Sequence, residues 1–262
     1  MSESPAFSNV QPAGTPLLSL VIPCYNEQRN LPGLVEKCVK LVEQRDVEVI
    51  LVDNGSSDDT PRLLPDLVSG HDRLRTVRIE VNQGYGFGIL SGLKVARGGY
   101  IGWTHADLQT DPLDALMALR LLEAEGCPGD LYLKGRRYGR GLLDVGFTLG
   151  MTLFERLLLG CWLWDINAQP NIFHRSFFEG LHNPPHDFSL DLYVYHEAIR
   201  QRLRVKRFPV MFGRRSHGIG HNETLRAKLL YSWRTMRFSV ALRARLKSPC
   251  AAQGPAGKRG RT

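Results

Sequence analysis

Two short apolar runs set most of the limits on this chain: "LLSLVIP" at residues 17–23 and "VEVILVD" at 47–53. A run that is apolar at nearly every position, without polar alternation, has both faces covered and belongs inside a parallel sheet. Between the two, "NLPGLVEKCVKLVEQ" places Leu31, Leu34, Val35, Cys38, Val39 and Val42 at helical spacing. The unit then repeats. "DDTPRLLPDLV" predicts a helix capped by Asp59 or Thr60 with Pro61 in its first turn, and "LRTVRIEV" a third strand. "GFGILSGLKVAR" and "GGYIGWT" follow as helix and strand, then "DPLDALMALRLLEAEG" and "DLYLKG" as another such pair. Strands and helices in alternation predict an α/β fold, a doubly wound and mostly parallel sheet with helices on both faces.

A chain of 262 residues, 43% of them hydrophobic, can bury the core of one large domain of this kind, expected over residues 17–220. Residues 1–16 hold an acid, small polar residues and prolines, without the basic region and apolar stretch of a secretory signal, and are expected to be a disordered lead. Five widely spaced cysteines (Cys24, Cys38, Cys127, Cys161 and Cys250) with no CxxC pair argue against a disulfide framework or a structural zinc, and fit a reducing cytoplasm. The longest apolar run, residues 147–164, is interrupted by Glu155 and Arg156 and falls short of the roughly 20 apolar residues needed to span a bilayer.

The charge is unevenly distributed. Ten Lys or Arg and no acid follow Glu223, whereas the preceding residues carry 24 basic against 26 acidic side chains. Within 221–247, Leu225, Leu229, Trp233, Met236 and Val240 recur at helical spacing among basic residues. Such a basic amphipathic helical appendage suits an anionic membrane surface, or packs its apolar face on the main domain. Residues 248–262 read as a flexible basic tail.

In a doubly wound sheet the ligand crevice lies at the carboxyl ends of the strands. Those ends read "PCYNE", "DNGSSDDT", "NQGYGFG" and "THADLQ". Asp53 and Asn54 can take ribose hydroxyls or the polar edge of a base, or turn the chain toward the next helix. Tyr25 can stack on a base. The glycines around Gly86 allow backbone to approach a phosphate and open a helix whose amides favour an anion. Their spacing is not GxGxxG and follows the third strand, which argues against a dehydrogenase. If "HADLQ" stays extended, His105, Asp107 and Gln109 share one side. A carboxylate, an amide oxygen and diphosphate oxygens suit Mg2+ or Mn2+, and an imidazole shifts the preference toward Mn2+. His105 either ligates such a metal or positions a neighbour by hydrogen bonding.

The segments "LSLVIPCYNEQRNLPGLV", "VEVILVDNGSSDDT", "NQGYGFGILSGLKVARGGYIGWTHADLQTDP" and "DINAQPNIFHRSFFE" together resemble the family 2 glycosyltransferases of GT-A fold, especially the polyprenyl and dolichol phosphate sugar transferases. The resemblance implies a nucleotide-diphosphate-sugar donor, with Pro23, Tyr25 and Glu27 near the base, Asp53 and Asn54 on base or ribose, and Asp107 with Gln109 at metal and diphosphate. Two positions depart from the family pattern. His105 stands where the first acid of Asp-x-Asp is usual, and Asn54 where a second acid follows strand two.

Direct displacement of the diphosphate implies inversion at the anomeric carbon, with metal and amides stabilising the departing charge. A lipid phosphate acceptor is already anionic and needs cations to hold it. Arg136, Arg137 and Arg140 in "KGRRYGRG" and Arg215 in "RRSHG" are the candidates. A hydroxyl acceptor needs a base, for which Asp165 comes first and Asp191 second, although Asp191 reads equally as a surface helix acid.

The expected protein is an inverting glycosyltransferase acting on a polyprenyl phosphate, peripheral to the cytoplasmic face of a membrane. Transfer to a glycan or lipid hydroxyl, and non-catalytic nucleotide-sugar binding, are the alternatives. Nucleic acid is not expected as a partner, because the main domain is near-neutral and lacks an aromatic-basic platform.

Overall fold

The computed structural model describes residues 14–213 and 225–247. Much of the expected N-terminal lead, the basic tail at 248–262 and Arg215 lie outside the described residues.

The chain opens with five strand-helix units, all in the order expected from the sequence except the helix of the fifth, which the sequence reading did not place. They are β1 (Leu18–Cys24) with α1 (Leu31–Gln44), β2 (Val47–Asn54) with α2 (Thr60–Val68), β3 (Leu74–Ile79) with α3 (Tyr85–Val95), β4 (Tyr100–Trp103) with α4 (Ala115–Ala124), and β5 (Leu131–Tyr138) with α5 (Leu142–Leu159). After them come β6 (Asn171–His174), α6 (Arg175–Glu179), α7 (Leu190–Arg200), β7 (Arg204–Met211) and α8 (Leu225–Lys247).

The seven strands form one sheet in the order β3-β2-β1-β4-β6-β5-β7. All neighbours are parallel except β6, which runs antiparallel to both β4 and β5. Its direction matters for function. Asn171, the first residue of β6, pairs with Trp103 and Lys134, so the loop entering β6 arrives at the edge where the loops after β4 and β5 leave.

The two-residue period of the strands divides the core. Leu18, Leu20, Ile22, Val47, Val49 and Leu51 pack with α1, α2 and α4 on one face. Val21, Ile50 and Val52 pack with α3, α6 and α7 on the other. The start of α2 is held by Asp58, whose Oδ1 accepts from Thr60 N at 2.9 Å, whereas the expected cap Asp59 makes no side-chain capping bond.

The C-terminal helix is not a separate appendage. α8 packs along α5, and Leu242 joins the core face of α3 and α7. The stripe expected to face a membrane or pack on the main domain is turned outward in part, since Trp233 and Val240 are exposed while Ser239 and Leu242 are buried. Among the described residues no helix is long and apolar enough to cross a membrane.

Helix α3 lies close to the sheet because Gly92 has no side chain. A Cβ there would sit 2.4 Å from Val21 Cγ1 and 2.9 Å from Val52 Cγ2. Gly92→Ala is therefore expected to lower stability by about 1–3 kcal/mol, as overpacking of a tight contact does. Urea unfolding of the two proteins measures it, and an unchanged midpoint would contradict this packing.

Candidate active site

A cavity of about 1050 Å3 opens at the carboxyl ends of β1, β2 and β4 and runs on between α5 and α8. Of the residues expected near a nucleotide, Pro23, Tyr25, Glu27 and Asn54 line it, as do His105, Asp107, Gln109, Arg137, Arg140 and Asp191.

The loops after β1 and β2 are tied together. Asn26 Oδ1 accepts from Ser57 N at 2.8 Å, and Asn26 N donates to Ser56 Oγ at 3.0 Å. Glu27 N donates to Thr60 Oγ1, while Glu27 Oε2 accepts from Asn30. This bracing leaves Tyr25 half in solvent at the mouth of the cavity.

Asp53 and Asn54 part company. Asp53 is buried, its Oδ1 accepts from Ser56 N at 3.0 Å in a turn, and it does not line the cavity. Asn54 Nδ2 donates to Gly84 O at 3.0 Å, which a carboxylate in its place could not do. Its Oδ1 is buried without a partner.

Gly86 has a different use from the expected phosphate approach. A Cβ on it would meet Pro185 O at 2.6 Å and Asp187 O at 2.8 Å, so it admits the 185–187 loop. Phe87 N donates to His186 O at 2.9 Å. The first turn of α3 is thus covered by chain, and an amide expected to face an anion is already spent on a carbonyl.

The segment after β4 does not stay extended. Leu108 has a φ of 58°, and Asp107 Oδ1 accepts from Gln109 N at 3.1 Å, closing a tight turn. His105, Asp107 and Gln109 still border one cavity, but the turn brings them there rather than strand alternation. Among the described residues no cluster of three His, Cys, Asp or Glu side chains could hold a metal by itself. One buried carboxylate beside an amide is the donor set of an Mg2+ or Mn2+ that takes its other ligands from diphosphate and water, so the residues fit such an ion.

The same cavity is lined by a half-buried cationic group. Arg137 Nε and Nη2 donate to Asp165 Oδ1 at 3.0 and 2.5 Å, and Arg140 Nη1 lies 3.4 Å from the same oxygen. These guanidinium groups hold the Asp165 carboxyl below the usual carboxylate range against its burial. Arg140 Nη1 also donates to Thr148 Oγ1, and its Nε is buried without a partner. Arg136, the neighbour on β5, is exposed and does not line the cavity, because alternation turns it away.

Asp191 is not a surface acid. It is buried and borders the cavity, and its Oδ1 accepts from Asn171 Nδ2 at 2.9 Å and Trp103 Nε1 at 3.2 Å. Burial raises its carboxyl above the usual value. Behind it, Lys134 Nζ donates to Asn171 Oδ1, Ile166 O and Ala168 O at 2.6–2.8 Å. Burial brings that ammonium down to about 7.

Several wall residues had no role in the sequence reading. Tyr85 accepts from Gln169 Nε2, stacks on Phe188 at 4.8 Å and lies 6.0 Å from the His105 ring. Ser232 and Thr235 of α8 also border the cavity. A lysine inside the apolar run "LYLKG" was the one available signal, since a buried ammonium demands acceptors. Nothing local marks a serine and a threonine on a distant helix.

The fold matches solved structures of glucosyl-3-phosphoglycerate synthase from Mycobacterium tuberculosis. The complex with Mn2+, UDP and phosphoglyceric acid aligns at a TM-score of 0.65 and 20% identity, over 88% of this chain and 79% of that one. The complex with Mg2+ and UDP aligns at 0.64 and 19%, over 90% and 82%. The architecture is that of the GT-A glycosyltransferases. Residues 19–138 match Glycosyl transferase family 2, and the chain carries a domain of that family.

Curated relatives are distant. Undecaprenyl-phosphate 4-deoxy-4-formamido-L-arabinose transferase of Proteus mirabilis (strain HI4320) is 37% identical over 99 residues, 36% of this chain and 30% of that protein. Dolichyl-phosphate beta-glucosyltransferase of Dictyostelium discoideum is 28% identical over 112 residues, 39% and 34% respectively. The matches therefore span about a third of the relatives' lengths.

At the α8 end of the cavity, Glu155 is fully buried and accepts from Ser239 Oγ at 2.7 Å, with its other oxygen unpartnered. Burial lifts its carboxyl from 4.5 to about 7. The folded state thus favours the protonated form. This contribution is fully present below the ordinary carboxyl range, and is lost as pH rises from about 4.5 to about 7. Glu155→Gln is expected to raise stability at pH 8 and to flatten that slope, as read by denaturant unfolding at a series of pH values. An equal slope in both proteins would contradict it.

Proposed function

We propose that the protein is an inverting glycosyltransferase that moves a sugar from a nucleotide-diphosphate-sugar to a polyprenyl phosphate, working peripherally at the cytoplasmic face of a membrane. One observation carries the reading. Asp107 with Gln109, and Arg137 with Arg140, line one cavity. An apolar groove of about 540 Å3 between α5 and α8 shares Phe147, Met151 and Ser232 with it. A carboxylate and amide for a diphosphate's metal, a cationic group and an apolar exit in one cavity suit a phosphate acceptor that carries a hydrocarbon tail.

In this reading the base and ribose lie against Tyr25, Glu27 and Asn54. Asp107 and Gln109 hold the Mg2+ or Mn2+, which when bound offsets the charge growing on the departing diphosphate. Arg137 and Arg140 hold the acceptor phosphate, each paired with Asp165, and Arg140 Nε has no partner within the protein. Asp165 then serves to position the arginines. An oxygen of the acceptor phosphate attacks the anomeric carbon, the bond to the diphosphate breaks, and configuration inverts. No proton has to be removed from a phosphate dianion.

The screen that tests this presents nucleotide sugars with polyprenyl phosphate under Mg2+ and Mn2+. Transfer is expected for one donor class, and Asp107→Ala is expected to reduce it by at least ~100-fold, the scale of losing electrostatic stabilisation of a leaving group. Full activity of that variant would remove the metal assignment.

A hydroxyl acceptor is the second reading, favoured by the Asp191 carboxylate, which borders the cavity and is raised by burial toward the range of a base. Asp191→Asn separates the two. Transfer to a phosphate acceptor is expected to survive within about tenfold, whereas a hydroxyl acceptor would lose at least ~100-fold with its base.

A further inference from the structure

Helix α5 is built inside out. Its buried positions are Thr152 and Glu155, while Leu142 is 90% exposed, Leu157 77%, Leu153 52% and Leu149 51%. These leucines follow one another at helical spacing along one outward face, with Gly146 and Gly150 between them. Water is a poor medium for such a face, since an ordinary surface helix turns its leucines inward.

Neighbouring residues continue the pattern. Trp162, just past the end of α5, is half exposed with the Arg156 guanidinium 5.6 Å from its ring. Trp233 on α8 is exposed, with that of Arg237 at 5.7 Å. Tryptophan and arginine at the rim of an apolar face suit the level of lipid headgroups. Acids are turned away from it. The two acids of α5 are the buried Glu155 and Asp144, which borders the cavity, and α8 contains neither Asp nor Glu.

We propose that the outward face of α5, flanked by Trp162 and the Trp233 edge of α8, inserts flat into the surface of an anionic lipid bilayer. Two arguments select a bilayer over a second copy of this chain. Mated α5–α8 faces would bring arginine against arginine, since α8 has no acid and those of α5 are the buried Glu155 and the cavity-bordering Asp144, whereas anionic headgroups complement these cations. The face also runs the length of an 18-residue helix as a single apolar strip, the form of a helix lying in the interfacial plane.

The placement deepens the functional reading and rests on it in one respect only, the route of the acceptor. Leu142 and Leu143 border the apolar groove that shares residues with the main cavity. A bilayer against α5 sets the mouth of that groove at the hydrocarbon boundary, so a lipid acceptor reaches the cavity without crossing water.

The test is co-sedimentation of the full chain with phosphatidylcholine vesicles, with and without about one third phosphatidylglycerol. Binding needs neither donor nor turnover, so its failure is distinct from failure of the transferase reading. The wild-type chain is expected to bind the anionic vesicles, and Leu149→Glu/Leu153→Glu to bind at least about tenfold more weakly, because charges replace two inserting side chains. Neither residue borders either cavity, and the thermal midpoint of the variant is expected to match the wild type. Leu157→Glu, farther along the same face, repeats the test should the double variant unfold early.

Equal binding by wild type and variants overturns the proposal and gives the attraction to basic residues elsewhere in the chain. No binding by the wild type overturns it as well. A wild-type dimer that becomes monomeric in the double variant, without vesicle binding, makes the face a self-association surface instead.

Discussion

A lysine buried in a strand has to find acceptors, and those that Lys134 finds hold the floor of the cavity together. Its ammonium donates to two carbonyls of the loop entering β6 and to Asn171, which in turn donates to Asp191 on α7. Removing one partner would leave a charge or a carbonyl unsatisfied in a dry interior, at a cost of several kcal/mol. The network therefore acts as one unit. It fixes the 166–171 loop under the cavity, sets Asp191 on its wall, and makes the reversed strand β6 the hub between the two halves of the sheet.

The antiparallel direction of β6 has a chemical consequence. In a purely parallel sheet the loop entering a strand opens on the face opposite the ligand crevice. Reversing one strand brings its entering loop, with Asp165 and Gln169, to the crevice side, opposite Arg137 at the end of β5. The half-buried Arg137 and the acid that pairs with it thus come from segments 28 residues apart that meet because of this inserted strand.

The polarity of α5 extends the same logic outward. Its inner side spends Thr152 and Glu155 on contacts with the loop at Leu163 and with α8, while its leucines face away. Sequence alone showed a run too broken by Glu155 and Arg156 to cross a membrane. It could not show which side of the helix those two interruptions fall on. Their separation, one inward and one at the rim, turns a failed transmembrane segment into a candidate surface helix. The stripe read on α8 as suited to a membrane surface or to packing on the domain is in part the side turned from the domain, because Ser232, Thr235 and Ser239 make the inner contacts instead.

What the sequence determined by itself was the order of most strands and helices and the identity of the crevice loops, including the one that carries Asp107 and Gln109, because apolar periodicity and turn chemistry are local properties of the chain. It also singled out Arg137 and Arg140 for an acceptor phosphate and, for a hydroxyl acceptor, Asp165 as a base. Only the tertiary structure decided that Asp165 faces those arginines, that Arg136 and Gly86 stand outside the cavity, that Asp53 turns its own loop, and that Asp191 is buried on the cavity wall. Each of those outcomes depends on which remote segment packs against the residue, and that is settled by sheet order and strand direction, which a local pattern of hydrophobicity does not encode.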